Sequence, residues 1–130
     1  MGVRLGSAGS NTLQISTLPQ STEAVVVITP PLILANDNAA VFLNFYANWL
    51  TGPGATSTAF KVHRGLTTAG PLVQLAGSVA VSGNVFAECA GCLFDLPGVV
   101  GQVQYCLTLQ QVGATGTGTM NDACLLAYVL

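Results

Sequence analysis

Along residues 99–112 apolar and polar side chains alternate: Val103, Tyr105, Leu107 and Leu109 fall on one side, Gln102, Gln104, Cys106, Thr108 and Gln110 on the other. A period of two belongs to extended chain, whose successive side chains point to opposite faces, so the segment predicts a strand with one buried face. Its register is well specified, because a slip of one residue would turn every leucine to water. Residues 41–49 repeat the pattern, with Val41, Leu43, Phe45, Ala47 and Trp49 against Phe42, Asn44, Tyr46 and Asn48, and here the second face carries aromatics too. Helical signals are poor: Gly and Pro recur throughout, and no long stretch has apolar positions at i, i+3, i+4 and i+7.

The remaining segments agree. Residues 23–29 form a β-branched run that Pro30 and Pro31 end by withdrawing ladder donors. Asn36-Asp37-Asn38 reads as a turn, since short amide and acid side chains bond their own main chain. In residues 58–64, Phe60 and Val62 face opposite to Lys61 and His63, and further strands are expected at 72–76, 79–81 and 85–94, divided by Gly77 and by Ser82-Gly83-Asn84. Residues 113–119, rich in Gly and Thr, read as a flexible, uncharged tip.

Residues 122–130, DACLLAYVL, are apolar on both faces, with Leu126, Tyr128 and Leu130 on one and Leu125 and Val129 on the other. A sandwich strand normally wets one face, so the second apolar face calls for a subunit interface. That gives roughly eight strands at the spacing of an all-β antiparallel sandwich. At 130 residues one core is expected. Residues 22–130 are read as the domain and residues 1–21, rich in Ser, Gly, Asn and Thr, as an N-terminal arm that docks on a partner, with a short strand at 13–15 as its one structured option. The opening residues lack the basic start and apolar run of a secretory signal, and no apolar run has the length of a membrane-spanning helix, so a soluble protein is expected.

Charge is scarce. Arg4, Lys61, Arg64, Glu23, Asp37, Glu88, Asp95 and Asp122 are all of it, 6% of the chain, against about a quarter in an ordinary domain. With a net charge of -2, copies repel one another weakly and their surfaces lose little solvation on burial, which favours an assembly component. Three dispersed cations cannot track a phosphate backbone, so nucleic acid is not an expected partner, nor is a membrane.

No catalytic, metal or cofactor set stands out. Cys89-Ala-Gly-Cys92 has redox and zinc pedigree, yet no helix follows to lower a thiol pKa, and a spacing of three along a strand sends the two thiols to opposite faces. Cys106 and Cys124 belong to no second such pair, so all four cysteines read as small buried hydrophobes, one disulfide being left open for an extracellular setting. His63, the sole histidine, lacks a visible nucleophile and orienting acid and reads as a surface strand residue. Asp37 is too little for a calcium loop. Tyr46 and Trp49 would make a sugar platform only if they shared a face, and alternation separates them.

The runs VFLNFYANW (41–49), KVHRGLTTAG (61–70) and YCLTLQ (105–110), with the Gly/Thr tip and the terminal LLAYVL, resemble small phage capsid decoration or head-fibre proteins with a TNF/C1q-like jelly roll. The resemblance covers residues 22–130 in pattern. It implies an antiparallel jelly-roll sandwich of about eight strands, a homotrimer with the C-terminal strand near the three-fold axis, and attachment to a major capsid protein on the virion exterior; the four cysteines are not a family feature. The expectation is therefore a non-enzymatic virion structural protein, with an oligomer interface at Leu126, Tyr128, Leu130, Phe42 and Tyr46. The alternative is a carbohydrate- or receptor-binding jelly-roll module of a fibre or extracellular assembly.

Overall fold

The structure, a computed structural model, describes residues 6–10 and 12–130. Among them are eleven strands: β1 (Gly6–Ser10), β2 (Thr17–Leu18), β3 (Ala24–Ile28), β4 (Leu32–Leu34), β5 (Val41–Leu50), β6 (Ser57–Arg64), β7 (Leu72–Ala80), β8 (Phe86–Asp95), β9 (Gly101–Val103), β10 (Tyr105–Val112) and β11 (Gly118–Val129). They build a five-stranded sheet in the order β1-β11-β5-β8, with β2 also on β11, a four-stranded sheet in the order β3-β10-β6-β7, and a small β4-β9 pair. All pairings are antiparallel. The chain passes between the two large sheets at β5–β6, β7–β8 and β10–β11, so apart from the β6–β7 hairpin the paired strands are remote in sequence. This is an antiparallel jelly roll.

The alternating segments supply the core between the sheets. Val41, Leu43, Phe45, Ala47 and Trp49 of β5 point inward beside Leu125, Ala127 and Val129 of β11, opposite Val62 of β6 and Leu107 and Leu109 of β10. Each of the valines, leucines and phenylalanine among them, removed from water, contributes about 1.5–3 kcal/mol. Trp49 is fully buried, and its indole N–H donates across the sandwich to Thr58 Oγ1 at 3.2 Å, which satisfies the one polar atom it brings inside.

Four boundaries differ from the sequence reading. Residues 99–112 form two strands, because the chain leaves β4 at Val103 and takes up β3 and β6 at Tyr105, while Gln104 bonds outside these ladders through its carbonyl and its amide. Residues 72–76 and 79–81 are one strand, β7, which Gly77 carries through a bulge at φ +140° that side chains rarely adopt. Leu32–Leu34 is an additional short strand.

The fourth concerns the segment expected to be an arm. Residues 6–10 pair along β11, and Thr17–Leu18 pairs at its other end. Leu18 is fully buried, the amide of Gln14 donates to Val26 O at 2.9 Å, and Gln111 Nε2 donates to Pro19 O at 2.9 Å. Residues 1–5 lie outside the described residues. What made the segment look unstructured was its poverty in apolar side chains, but the edge of a sheet is held by main-chain bonds.

Candidate functional site

Antiparallel register lines up the outward side chains of three strands of the five-stranded sheet. Tyr128 of β11, Phe42 of β5 and Phe94 of β8 lie side by side, with ring centroids 6.4 Å apart for Tyr128 and Phe42 and 5.0 Å for Phe42 and Phe94. The next row holds Leu126, Asn44 and Cys92, and the one after it Cys124, Tyr46 and Ala90. Leu126, Tyr128, Phe42 and Tyr46 thus occupy one face, each half-buried. Leu130, one residue past β11, is 51% exposed and its amide donates to Ala40 O at 2.9 Å.

Sequence reasoning missed Phe94, which is 58% exposed and completes the aromatic row. Its parity with Cys92 in residues 85–94 was the available signal, but nothing local says that β8 pairs with β5. Leu96, just beyond, is 74% exposed.

The far half of the same face is polar. Asn121 Nδ2 donates to Asn48 Oδ1 at 3.1 Å, Asn48 Nδ2 to Tyr46 Oη at 3.4 Å, and Tyr46 O–H to Glu88 Oε2 at 3.3 Å. Glu88 and Asp122 are the charges on this face among the described residues, and both are negative. The face therefore has an apolar end and a hydrogen-bonded, acidic end. Trp49 faces the core on the other side of β5, so no Tyr46–Trp49 sugar platform is formed.

The outer face of the four-stranded sheet is built differently. Cys106 and Thr108 point outward from β10, yet both are fully buried. Glu23, just before β3, reaches across β10: its Oε2 accepts from Thr108 Oγ1 at 2.5 Å and lies 2.6 Å from His63 Nε2 on β6, while Lys61 Nζ is 4.0 Å from Oε1. His63 Nδ1 lies 2.9 Å from Gly70 O, which anchors the β6–β7 connection, and Cys106 Sγ meets Thr67 O at 3.8 Å. His63 is thus no surface residue: its side chain is 7% exposed, because this connection and Glu23 cover it. Burial pushes the Glu23 carboxyl up, but donation from Thr108 and His63, with the positive charges of His63 and Lys61, outweighs it and leaves the carboxyl below its ordinary range.

A second polar cluster ties the sheets together. Arg64 holds Asp95 of β8 through Nε at 2.9 Å and Nη2 at 2.6 Å, and Tyr105 O–H donates to the same carboxylate at 2.8 Å. The bond to Asp95 raises the Arg64 pKa, and burial followed by the bond to Asp95 raises that of Tyr105.

Cys89 is buried and Cys92 exposed, the opposite faces that strand spacing requires, and all four thiols are free. Burial pushes Cys89 up to about 12 and Cys106 up to about 11, so neither is a thiolate near neutral pH. Among the described residues no three His, Cys, Asp or Glu side chains gather as a metal site. The Asn36-Asp37-Asn38 turn is present, with the Asn38 amide donating to Asn36 Oδ1 at 3.0 Å. The Gly/Thr tip is packed against the β5–β6 loop: Thr115 N donates to Pro53 O at 2.7 Å, and a Cβ on Gly52 would lie 2.2 Å from Gly116 O.

No protein-family model matches the sequence, and no curated protein matches it either. Solved structures do. The chain is similar to a protein of T=1 particles derived from infectious bursal disease virus (6% identity, 94% of this chain and 31% of that one, TM-score 0.59). It is also similar to Eiger TNF from S. frugiperda (11% identity, 95% and 91%, TM-score 0.52) and to murine APRIL (7% identity, 95% and 99%, TM-score 0.50). The chain spans about a third of the length of the viral chains it matches. At such identities the likeness is one of fold: this chain shares the jelly roll found in TNF-type and viral capsid proteins.

Proposed function

We propose that this chain is a non-enzymatic structural subunit that associates with copies of itself through the outer face of the five-stranded sheet, as a trimer, and that the assembly decorates or reinforces the capsid of a phage virion. The observation that carries this reading is the Tyr128–Phe42–Phe94 row with Leu126 beside it, apolar groups side by side where an isolated sandwich would present polar ones. A further copy of the chain suits that surface because little charge opposes its approach, only Glu88 and Asp122 at one end among the described residues. Trimer symmetry rests on the resemblance to TNF/C1q-like decoration proteins, and the virion setting on that resemblance and on the particle-forming viral neighbours.

Sedimentation velocity at micromolar concentration tests the first half: the expected species has three times the subunit mass of 13.2 kDa, and a monomer throughout overturns it. Cosedimentation with phage shells tests the second. A glycan-binding module is the other reading, favoured by the Tyr46–Asn48–Asn121–Glu88 strip alone; glycan binding lost in Tyr46→Ala would establish it in place of the first.

A further inference from the structure

We infer that Glu23 and His63 form a one-proton clasp, which holds the β6–β7 connection down on the outer face of the four-stranded sheet and releases it as pH rises. Proton counting carries the inference. Gly70 O only accepts, so the 2.9 Å contact requires a hydrogen on His63 Nδ1. At 2.6 Å, Nε2 and Glu23 Oε2 require a second hydrogen between them, and Thr108 Oγ1 donates its own to the same oxygen. Whichever atom carries the shared hydrogen, the pair holds one proton more than a neutral imidazole beside a carboxylate.

Taking that proton away leaves one of the two contacts with acceptor facing acceptor. In a site this buried such a mismatch costs the full desolvation of the orphaned group.

The ionisable groups facing the pair are few. Lys61 lies on the same strand and is 4.0 Å from the free Glu23 oxygen. Cys106 of β10 stands opposite His63, and its thiol, pushed up to about 11 by burial, stays neutral. Neither β7 nor residues 65–71 contain a residue that titrates, so nothing else supplies the proton.

What the clasp restrains is visible in the bonds around it. The amide of Arg64 donates to Pro71 O at 2.8 Å, that of Gly65 to Gln104 O at 2.7 Å and that of Gly70 to Thr67 O at 3.1 Å, and the folded connection covers the Cys106 thiol. The inter-sheet core lies on the other side of β6 and β10, so release opens one outer face and leaves the sandwich standing.

Hydrogen–deuterium exchange on the whole protein tests this, corrected for intrinsic rates and compared at about pH 6 and about pH 8.5. Amides of residues 64–70 should exchange roughly tenfold faster at the higher pH, the loss expected for one charge-assisted bond, while those of β5 do not change. His63→Gln cannot reach both partners and should exchange fast at both pH values. Glu23→Gln donates to a neutral imidazole, keeps both bonds, and should stay slow at both. Protection of the native chain that does not change with pH, or native pH dependence in Glu23→Gln, overturns the clasp. If His63→Gln does not fold, the near-isosteric Glu23→Gln decides alone.

Discussion

The two outer faces of this sandwich start from the same pattern and end differently. On the four-stranded sheet the chain finishes the job itself: Glu23, His63 and the β6–β7 connection bury Thr108 and Cys106, which strand alternation aims at solvent. On the five-stranded sheet Phe42 and Leu126 stay half-buried on the outer face and Phe94 stands 58% exposed. The closed face is held by directional bonds between groups that cannot be left alone; the open one offers apolar area, which gives no direction but suits another surface. Under the assembly proposed above, this difference between the faces gives the subunit a direction of association.

A carboxylate placed on each face should separate them. Thr108→Asp removes the donor to Glu23 and adds a like charge in a buried site, so subunit stability should fall by about 3 kcal/mol or more in urea unfolding followed by Trp49 emission. Leu126→Asp should cost the subunit less than about 1 kcal/mol yet weaken self-association about thirtyfold or more, read by sedimentation. If both variants simply unfold the subunit, the contrast is lost.

A smaller effect is expected from the shared edge. Deleting residues 1–19 strips β1 and β2 from β11, takes Leu18 from the core and leaves Gln111 Nε2 without Pro19 O. The expected loss is about 2 kcal/mol with a lower melting temperature; an unchanged melting temperature would restore the dispensable docking arm.

The smallest effect concerns acid. Because the folded-state pKa of Glu23 lies below its ordinary value, its contribution is present above the normal carboxylate range and is lost as pH falls through the folded value. The stability difference between the native chain and Glu23→Gln should therefore shrink on acidification. A difference that stays constant or grows would mean that the carboxylate does not stabilise the closed face.

The sequence announced whatever depends on a period of two. β5 and β10 were legible because their inward residues alternate without interruption, the end of β11 because residues 122–130 are apolar on both faces, and the opposed directions of Cys89 and Cys92 followed from strand geometry. What escaped was set by partners far along the chain. Nothing near His63 reveals that Glu23 will arrive across β10, and nothing near Phe94 reveals Phe42 beside it. The Gly/Thr tip misled for a related reason: glycine can mean mobility or close approach, and only the position of Gly116 against Gly52 tells which.

The order of strands in the five-stranded sheet also sets a clock. β5 lies between β8 and β11, and the aromatic row takes one ring from each, so the row cannot exist until all three have been synthesised and paired. Pairings between remote segments form slowly, and half-made sheets are where nascent chains aggregate. Until β11 has paired, Phe42 lacks the Tyr128 ring beside it. The association proposed above through this row therefore waits for β11 to pair with β5.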